Sequence, residues 1–139
     1  MMRDPSKIRV VIGKVGLDGH TVGMFTVSKA LSDAGCEVIL AGIRLSPKEI
    51  VNIVVQEDGD VIGLSSLAGD HLVLFPKVAR LLREANASHV LFIAGGIIPE
   101  EDIPILQENG IARVFVPGTP TDEIVEFVLG RVRSKHYKL

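Results

Sequence analysis

The sequence predicts an α/β protein of the flavodoxin-like, doubly wound type, with a five-stranded parallel sheet of strand order 2-1-3-4-5. Short runs rich in valine, isoleucine and leucine alternate with longer amphipathic stretches, as in parallel sheets covered by helices on both faces. The 139 residues, 47% of them hydrophobic, suffice for one compact domain. We expect that domain over residues 8–133, between an N-terminal tail at residues 1–7 and a C-terminal tail at residues 134–139.

Five apolar runs have the length and composition of strands that are buried on both faces. They are Ile8–Ile12, Glu37–Ala41, Val61–Ser65, Val90–Ala94 and Arg113–Val116. The amphipathic stretches that follow these runs predict five helices. These are Val22–Ala34, Pro47–Gln56, Leu72–Ala85, Pro99–Asn109 and Pro120–Arg133.

Local start and stop signals support several of the helices. The segment S-P-K-E at residues 46–49 is a capping box with proline at the first helical position. The segment T-P-T-D at residues 119–122 offers a cap, a proline and an acid near the positive end of a helix. Gly35 and Gly110 each follow a helix, where a left-handed C-terminal cap favours glycine.

Composition excludes several classes of function. The formal net charge is −2, with 15 basic and 17 acidic residues spread along the chain, so we expect no nucleic-acid partner. One cysteine, Cys36, excludes an internal disulfide and a cysteine-rich metal site. The N-terminus lacks an apolar signal core and no apolar run approaches membrane-spanning length. We therefore expect a cytoplasmic protein without a membrane partner.

The residues that are unusual for ordinary loops follow the predicted strands. Handedness of the crossovers puts a ligand crevice outside the carboxyl ends of the strands, between strands one and three. Four glycines occupy residues 13–23 after strand one, and S-L-A-G-D-H at residues 66–71 follows strand three. A glycine pair at residues 95–96 follows strand four, and P-G-T at residues 117–119 follows strand five. These segments are therefore the candidate binding site.

The loop after strand one contains a possible metal ligand. Its glycine spacing fits neither phosphate-binding pattern, but Asp18 stands two residues before His20. A metal-bound imidazole usually donates its other N–H to a carboxylate, and Lys14 could in turn hold Asp18. The alternative is an ordinary turn with an exposed histidine, since no second His or Cys completes a zinc site. A corrin ring would remove that objection, because it needs only one axial nitrogen from the protein.

The resemblance to a known family is carried by three motifs. K-V-G-L-D-G-H-T-V-G at residues 14–23 resembles the D-x-H-x-x-G motif of cobalamin-binding domains, in the form of the methylmalonyl-CoA mutase branch. S-x-L at residues 65–67 and G-G at residues 95–96 follow at matching places. The family's A-A-G-H is replaced by A-G-D-H at residues 68–71. The chain is thus similar, over about residues 8–133, to cobalamin-binding subunits of adenosylcobalamin-dependent mutases.

The resemblance implies a role for each motif residue. In this family the cofactor binds with its benzimidazole displaced from cobalt, so that His20 would be the lower axial ligand. Asp18 would accept a hydrogen bond from His20, and Lys14 would in turn hold Asp18. Glycines 95 and 96 would leave room for the aromatic base of the nucleotide tail. The implied cofactor-binding residues are Asp18, Gly19, His20, Thr21, Gly23, Ser65, Leu67, Gly95, Gly96, Gly118 and Thr119.

Ordinary structural roles remain open for some of these positions. The glycine pair at residues 95–96 could be a tight turn, and Thr119 could be a plain helix cap. Ser65 would bind the tail and Leu67 would shape an apolar wall. His71 is expected to be structural, although it lies close to the crevice.

The resemblance also implies a partner and a reaction. Members of this family need a large (β/α)₈-barrel subunit for substrate binding, so this chain would carry no residue for substrate chemistry and would be inactive alone. An apolar face ringed by Leu67, Ala68 and residues 96–98 would dock that subunit. The leading reaction is the radical rearrangement of methylmalonyl-CoA to succinyl-CoA. Alternatives are the small subunits of 2-hydroxyisobutyryl-CoA or glutamate mutase, a corrinoid methyl-transfer protein, and a receiver-like signalling module.

Overall fold

The computed structural model describes residues 7–16, 22–66 and 69–136. The strands are β1 (Arg9–Val15), β2 (Glu37–Leu45), β3 (Val61–Ser66), β4 (Leu91–Gly96) and β5 (Arg113–Phe115). The helices are α1 (Val22–Asp33), α2 (Pro47–Gln56), α3 (His71–Glu84), α4 (Ile103–Glu108) and α5 (Thr121–His136). A short 3-10 helix, Glu100–Asp102, precedes α4.

The strands form one parallel sheet in the order β2-β1-β3-β4-β5. This confirms the flavodoxin-like fold and the strand order predicted from the sequence. The order reverses between β1 and β3, where the connections after the two strands leave in opposite directions. A crevice therefore forms at the carboxyl ends of these central strands.

Two apolar layers cover the sheet. Helices α2, α3 and α4 enclose one layer, in which Phe75 of α3 meets Phe92 of β4 with ring centroids 6.0 Å apart. Helices α1 and α5 enclose the other layer, in which Phe115 meets Phe127 edge-on at 5.8 Å. None of the helices within the described ranges is both long and apolar enough to cross a membrane.

The first strand is longer than predicted. It was expected to end at Ile12, but it continues to Val15 and so takes Lys14 out of the predicted loop and into the sheet. Strand β2 lengthens with it to Leu45, through register shifts opposite Gly13. Glycine and lysine have low strand propensity, but pairing to both β2 and β3 overrides that preference here.

The helix signals are borne out at α2 and at two helix ends. The Ser46 hydroxyl accepts from the Glu49 N–H at 3.1 Å, and the Glu49 carboxylate accepts from the Ser46 N–H at 2.9 Å. The hydrogen bond from the Ser46 backbone is the larger cause that lowers the pKa of Glu49 from its ordinary value, and a hydrogen bond with the Ser46 side chain is the second. Gly35 and Gly110 both have the positive φ of left-handed caps, +98° and +104°.

Two predicted helices differ from the structure. The stretch predicted as one helix from Pro99 to Asn109 is divided into the 3-10 helix and α4. Pro104 explains the division, because a continuous helix would need its missing N–H and its ring would crowd the carbonyl four residues earlier. Helix α5 begins one residue after Pro120 and continues to His136, beyond the predicted end at Arg133.

Candidate functional site

A mainly apolar cavity of about 480 Å³ opens at the carboxyl ends of β1, β3, β4 and β5. It lies between the sheet and helices α1 and α5, which contribute Val27 and Ile124 to its walls. Its floor is one row of residues in register across the sheet: Ile12, Gly63 and Ile93. A cleft of this size, with few polar groups, is typical of sites for small organic ligands.

Two glycines leave room in this cavity. Residues paired in register on parallel strands point to the same face of the sheet, so Gly63 and Gly95 both face the cavity. A Cβ atom added at Gly63 would meet its nearest neighbours, the Ile12 and Ile93 side chains, at 3.6 Å. At Gly95 the nearest atom would be the Phe115 carbonyl oxygen at 3.4 Å. The fold tolerates a methyl group at both positions, so their missing side chains widen the cavity.

Gly96 differs from its neighbour although it also lines the cavity. Its φ is +121°, a conformation that side chains rarely adopt, and an added Cβ would collide with the carbonyl oxygen of Ser66. The fold therefore requires glycine at residue 96 because the β3 and β4 backbones approach so closely. Of the two glycines in the motif, one is needed by the backbone and the other leaves space for a ligand.

Lys14 and Ser65 form the polar end of the cavity. They are in register on β1 and β3, and the Lys14 ammonium donates to the Ser65 hydroxyl at 2.9 Å. Lys14 is only 1% exposed, and a buried ammonium has to be compensated by polar partners. By accepting from Lys14, the Ser65 hydroxyl keeps its own hydrogen for an acceptor in the cavity.

The connection from β5 to α5 closes one side of the cavity. Gly118 and Thr119, two of the predicted cofactor-binding residues, both line it. The Thr119 hydroxyl donates to the Val116 carbonyl at 2.6 Å, so in this structure it fastens the turn. Gly118 has φ of +90° and open space around its Cα, which leaves its backbone accessible to a ligand.

The structure brings together the predicted site residues that it describes. They all line the cavity: Lys14, Gly23, Ser65, Gly95, Gly96, Gly118 and Thr119. The other predicted residues lie outside the described ranges: Asp18, Gly19, His20, Thr21 and Leu67. The axial ligand and its carboxylate partner therefore remain predictions. Within the described ranges, no three His, Cys, Asp or Glu side chains are grouped so that they could hold a metal ion.

Sequence reasoning missed the floor and the apolar walls of the cavity. Gly63 lies inside the predicted strand Val61–Ser65 and is not among the predicted site residues, yet an isolated glycine in an apolar strand is a recognised signal of close backbone approach. Phe115 and Ile124 carried no signal, because any core residue of the same type has the same local pattern.

A second polar cluster lies at the same edge of the sheet, at the start of α3, and its residues do not line the cavity. The Ser66 hydroxyl donates to the Asp70 carboxylate at 2.6 Å, so the acid that departs from the family motif is bound to the end of β3. The His71 side chain is buried and its Nε2 lies 2.8 Å from Oδ2 of Asp102. This pair links the connections that follow β3 and β4.

Comparison with known proteins identifies the family to which the chain belongs. Residues 8–126 match the B12 binding domain family. The chain is 42% identical over 132 residues to the small subunit of 2-hydroxyisobutanoyl-CoA mutase from Aquincola tertiaricarbonis, covering 95% of this chain and 97% of that one. It is 46% identical over 121 residues to the pivalyl-CoA mutase small subunit of Xanthobacter autotrophicus, covering 87% and 81% of the two chains.

Longer proteins contain a similar domain. Methylmalonyl-CoA mutase of Escherichia coli is 38% identical over 128 residues, which are 92% of this chain but only 18% of that protein. A solved cobalamin-binding protein from Desulfitobacterium hafniense DCB-2 superposes with a TM-score of 0.77 at 23% identity, covering 91% of this chain and 59% of that one. That likeness supports the fold. By the match over most of its length, this chain belongs to the B12 binding domain family.

Proposed function

We propose that this chain is the cobalamin-binding small subunit of an adenosylcobalamin-dependent acyl-CoA mutase. The observation that carries the proposal is the glycine-widened cavity at the carboxyl edge of the sheet, lined by every predicted cofactor-binding residue that the structure describes. Similarity along nearly the whole chain to free-standing mutase small subunits supports it. When bound, adenosylcobalamin supplies a carbon radical through cleavage of its cobalt–carbon bond.

The residues present fit the nucleotide tail of cobalamin. A flat aromatic base can lie against the bare backbone at Gly63 and Gly95, between the apolar walls. The Ser65 hydroxyl, held by Lys14, has a hydrogen to donate to a ring nitrogen at the polar end. The accessible backbone at Gly118 suits the ribose and phosphate that follow the base.

We propose His20 as the lower axial ligand to cobalt and Asp18 as the acceptor for its other ring N–H. This assignment depends on the motif at residues 14–23. Lys14 is a buried cation four residues before Asp18 in the sequence, and we propose that it favours the ionised form of that carboxylate. Such a pairing fixes the tautomer of the imidazole and raises its basicity.

The proposed partner is a large (β/α)₈-barrel subunit that holds the acyl-CoA. Exposed apolar side chains at the carboxyl edge support a docking surface there: Phe25, Val73, Ile97 and Val116. One expectation needs correction, because Ile98 was assigned to this face but is buried in the core beneath α3 and α4. A radical reaction needs a closed cavity, which an open crevice of this kind does not provide alone.

The substrate is proposed as an acyl-CoA. The motifs alone favour methylmalonyl-CoA, but the two small subunits that match most of this chain and most of their own length are named for 2-hydroxyisobutanoyl-CoA and pivalyl-CoA. We therefore rank these two branched acyl-CoA esters first and methylmalonyl-CoA third. The side chains that distinguish them would belong to the barrel subunit.

Cofactor titration tests the first part of the proposal. The purified chain should bind cobalamin with the visible spectrum of a base-off, histidine-ligated form, and His20→Ala should lose that spectrum. His89→Ala is the matched control, because His89 is exposed at the opposite edge of the sheet. An unchanged histidine-ligated spectrum in His20→Ala would overturn the axial assignment, and absence of binding by the wild-type chain would overturn the function.

Reconstitution tests the second part. The chain should show no mutase activity alone and should gain it when mixed with its cognate large subunit and adenosylcobalamin. Isomerised product should be sought by mass spectrometry with the three acyl-CoA esters in parallel. Turnover by this chain alone would refute the two-subunit proposal. Efficient methyl transfer to an acceptor, without isomerisation of any ester, would instead favour a corrinoid methyl-transfer protein.

A further inference from the structure

One nitrogen of the buried imidazole of His71 has no hydrogen-bond partner. Nε2 lies 2.8 Å from the Asp102 carboxylate, but Nδ1 is buried and meets no donor or acceptor within the part of the chain that the structure describes. Nearly all buried polar atoms in proteins are hydrogen-bonded, and the exceptions mark strain, a function or a missing partner. An unpaired atom at the same edge of the sheet as the candidate binding site therefore calls for a ligand.

The pairing with Asp102 determines what kind of group is missing. A carboxylate can only accept, so in the neutral tautomer that fits this contact Nε2 carries the hydrogen and Nδ1 presents a lone pair. The missing partner is therefore a donor, an N–H or O–H group. The other acid at this site, Asp70, already accepts from Ser66 at 2.6 Å.

The position of the ring indicates where the donor comes from. His71 and Asp102 follow β3 and β4 in the chain, and Ser65 and Gly96, near the ends of those strands, line the cavity. The Asp102 side chain is 17% exposed, so the carboxylate reaches the surface at the carboxyl edge of the sheet, while the imidazole lies just beneath it. Gly69, just before the pair, has open space around its Cα, which gives the segment room to adjust to a ligand.

We infer that His71 is a binding residue for the rim of the corrin ring, with Nδ1 accepting a hydrogen bond from one of its primary carboxamides. The inference rests on the proposed function. The cavity takes the nucleotide tail, which leaves the ring itself above the ends of the central strands. That ring is edged with primary carboxamides, which are uncharged N–H donors of the required kind. Asp102 acts as a positioning residue that fixes the tautomer and orientation of the imidazole.

The test uses cobalamins in which each peripheral carboxamide in turn has been hydrolysed to a carboxylate. A carboxylate cannot donate to Nδ1, so the wild-type chain should bind one of these derivatives about 10-fold or more weakly than the others, by titration of the visible spectrum. Equal affinities for all derivatives would overturn the inference. This measurement needs no variant, so it does not depend on how a substitution folds.

The variant His71→Gln supplies the second arm. A glutamine amide can reach the position of Nε2 and keep the bond to Asp102, but it has no atom at the position of Nδ1. We expect it to bind intact cobalamin about 3- to 10-fold more weakly and to lose the selectivity among the derivatives. Selectivity that persists in His71→Gln would refute the role of Nδ1.

The outcomes separate this inference from the proposed function and from a rival donor. If the wild-type chain fails to bind intact cobalamin, the proposed function itself is wrong. If His71→Gln binds every cobalamin like the wild type but assembles more weakly with the large subunit, the donor belongs to that subunit and the corrin contact is wrong.

Discussion

The two adjacent glycines at the end of β4 should respond to alanine in opposite ways. Gly95 faces the cavity with its nearest potential neighbour, the Phe115 carbonyl oxygen, at ordinary contact distance of 3.4 Å from an added Cβ. Gly96 has φ of +121°, and its Cβ would collide with the Ser66 carbonyl. Gly95→Ala should therefore impair ligand binding, whereas Gly96→Ala should impair folding. Each variant is the matched control for the other.

The magnitudes follow from these environments. Gly95→Ala should leave the free energy of unfolding within about 1 kcal/mol of the wild type, because its conformation suits alanine. Its methyl group should weaken cobalamin binding by about 1–3 kcal/mol, or roughly 5- to 150-fold in Kd, since a packed aromatic base has to move. Gly96→Ala should lose about 2–4 kcal/mol of stability through backbone strain and the clash. That loss is a large part of a typical domain stability of about 5–15 kcal/mol.

Two measurements test the opposite effects expected of these two variants. Urea unfolding gives the free energy of unfolding of each variant, and titration of the visible spectrum gives its Kd for cobalamin. The reasoning fails if Gly95→Ala binds cobalamin like the wild type while folding normally. It also fails if Gly96→Ala unfolds at the same urea concentration as the wild type.

Four further predictions concern Lys14, Asp18, Ser46 and Glu49. Lys14→Met should keep the fold, since methionine fills the same buried space. It should weaken cobalamin binding about 10- to 100-fold, because it removes the donor that holds Ser65. An unchanged Kd would contradict this role of Lys14. Asp18→Asn should weaken binding by a similar factor of about 10 to 100 without changing the unfolding midpoint, and a variant that bound cofactor normally would refute the carboxylate–imidazole pairing. Ser46→Ala should lower the free energy of unfolding by about 1 kcal/mol. Because the pKa of Glu49 is lowered from 4.5 in the folded state, its ionised form stabilises the fold above that pH and the contribution is lost as the pH falls through the lowered pKa. The stability of Glu49→Gln should therefore decline less steeply on acidification than that of the wild type, and parallel pH profiles would exclude the effect.

Much of the fold was predictable because its signals are local. Apolar runs of strand length, the capping box at Ser46 and the glycines that end helices each depend on a few consecutive residues. Right-handed crossovers then leave few arrangements for five alternating units, so the strand order and the functional edge followed without the structure. For the same reason, the predicted site residues that the structure describes lie at that edge.

The sequence alone determined the fold class, the strand order and the edge at which the site lies, because periodicity, capping and chirality are properties of short segments. Tertiary structure decided what individual side chains do. Lys14 meets Ser65, 51 residues away, only because β1 extends and pairs in register with β3. Gly95 and Gly96 look alike in the sequence, but the approach of the β3 backbone separates a ligand-facing glycine from one that the fold requires. The contact of His71 with Asp102 likewise joins segments that follow different strands. Such contacts depend on register and on neighbours far along the chain, which no local pattern contains.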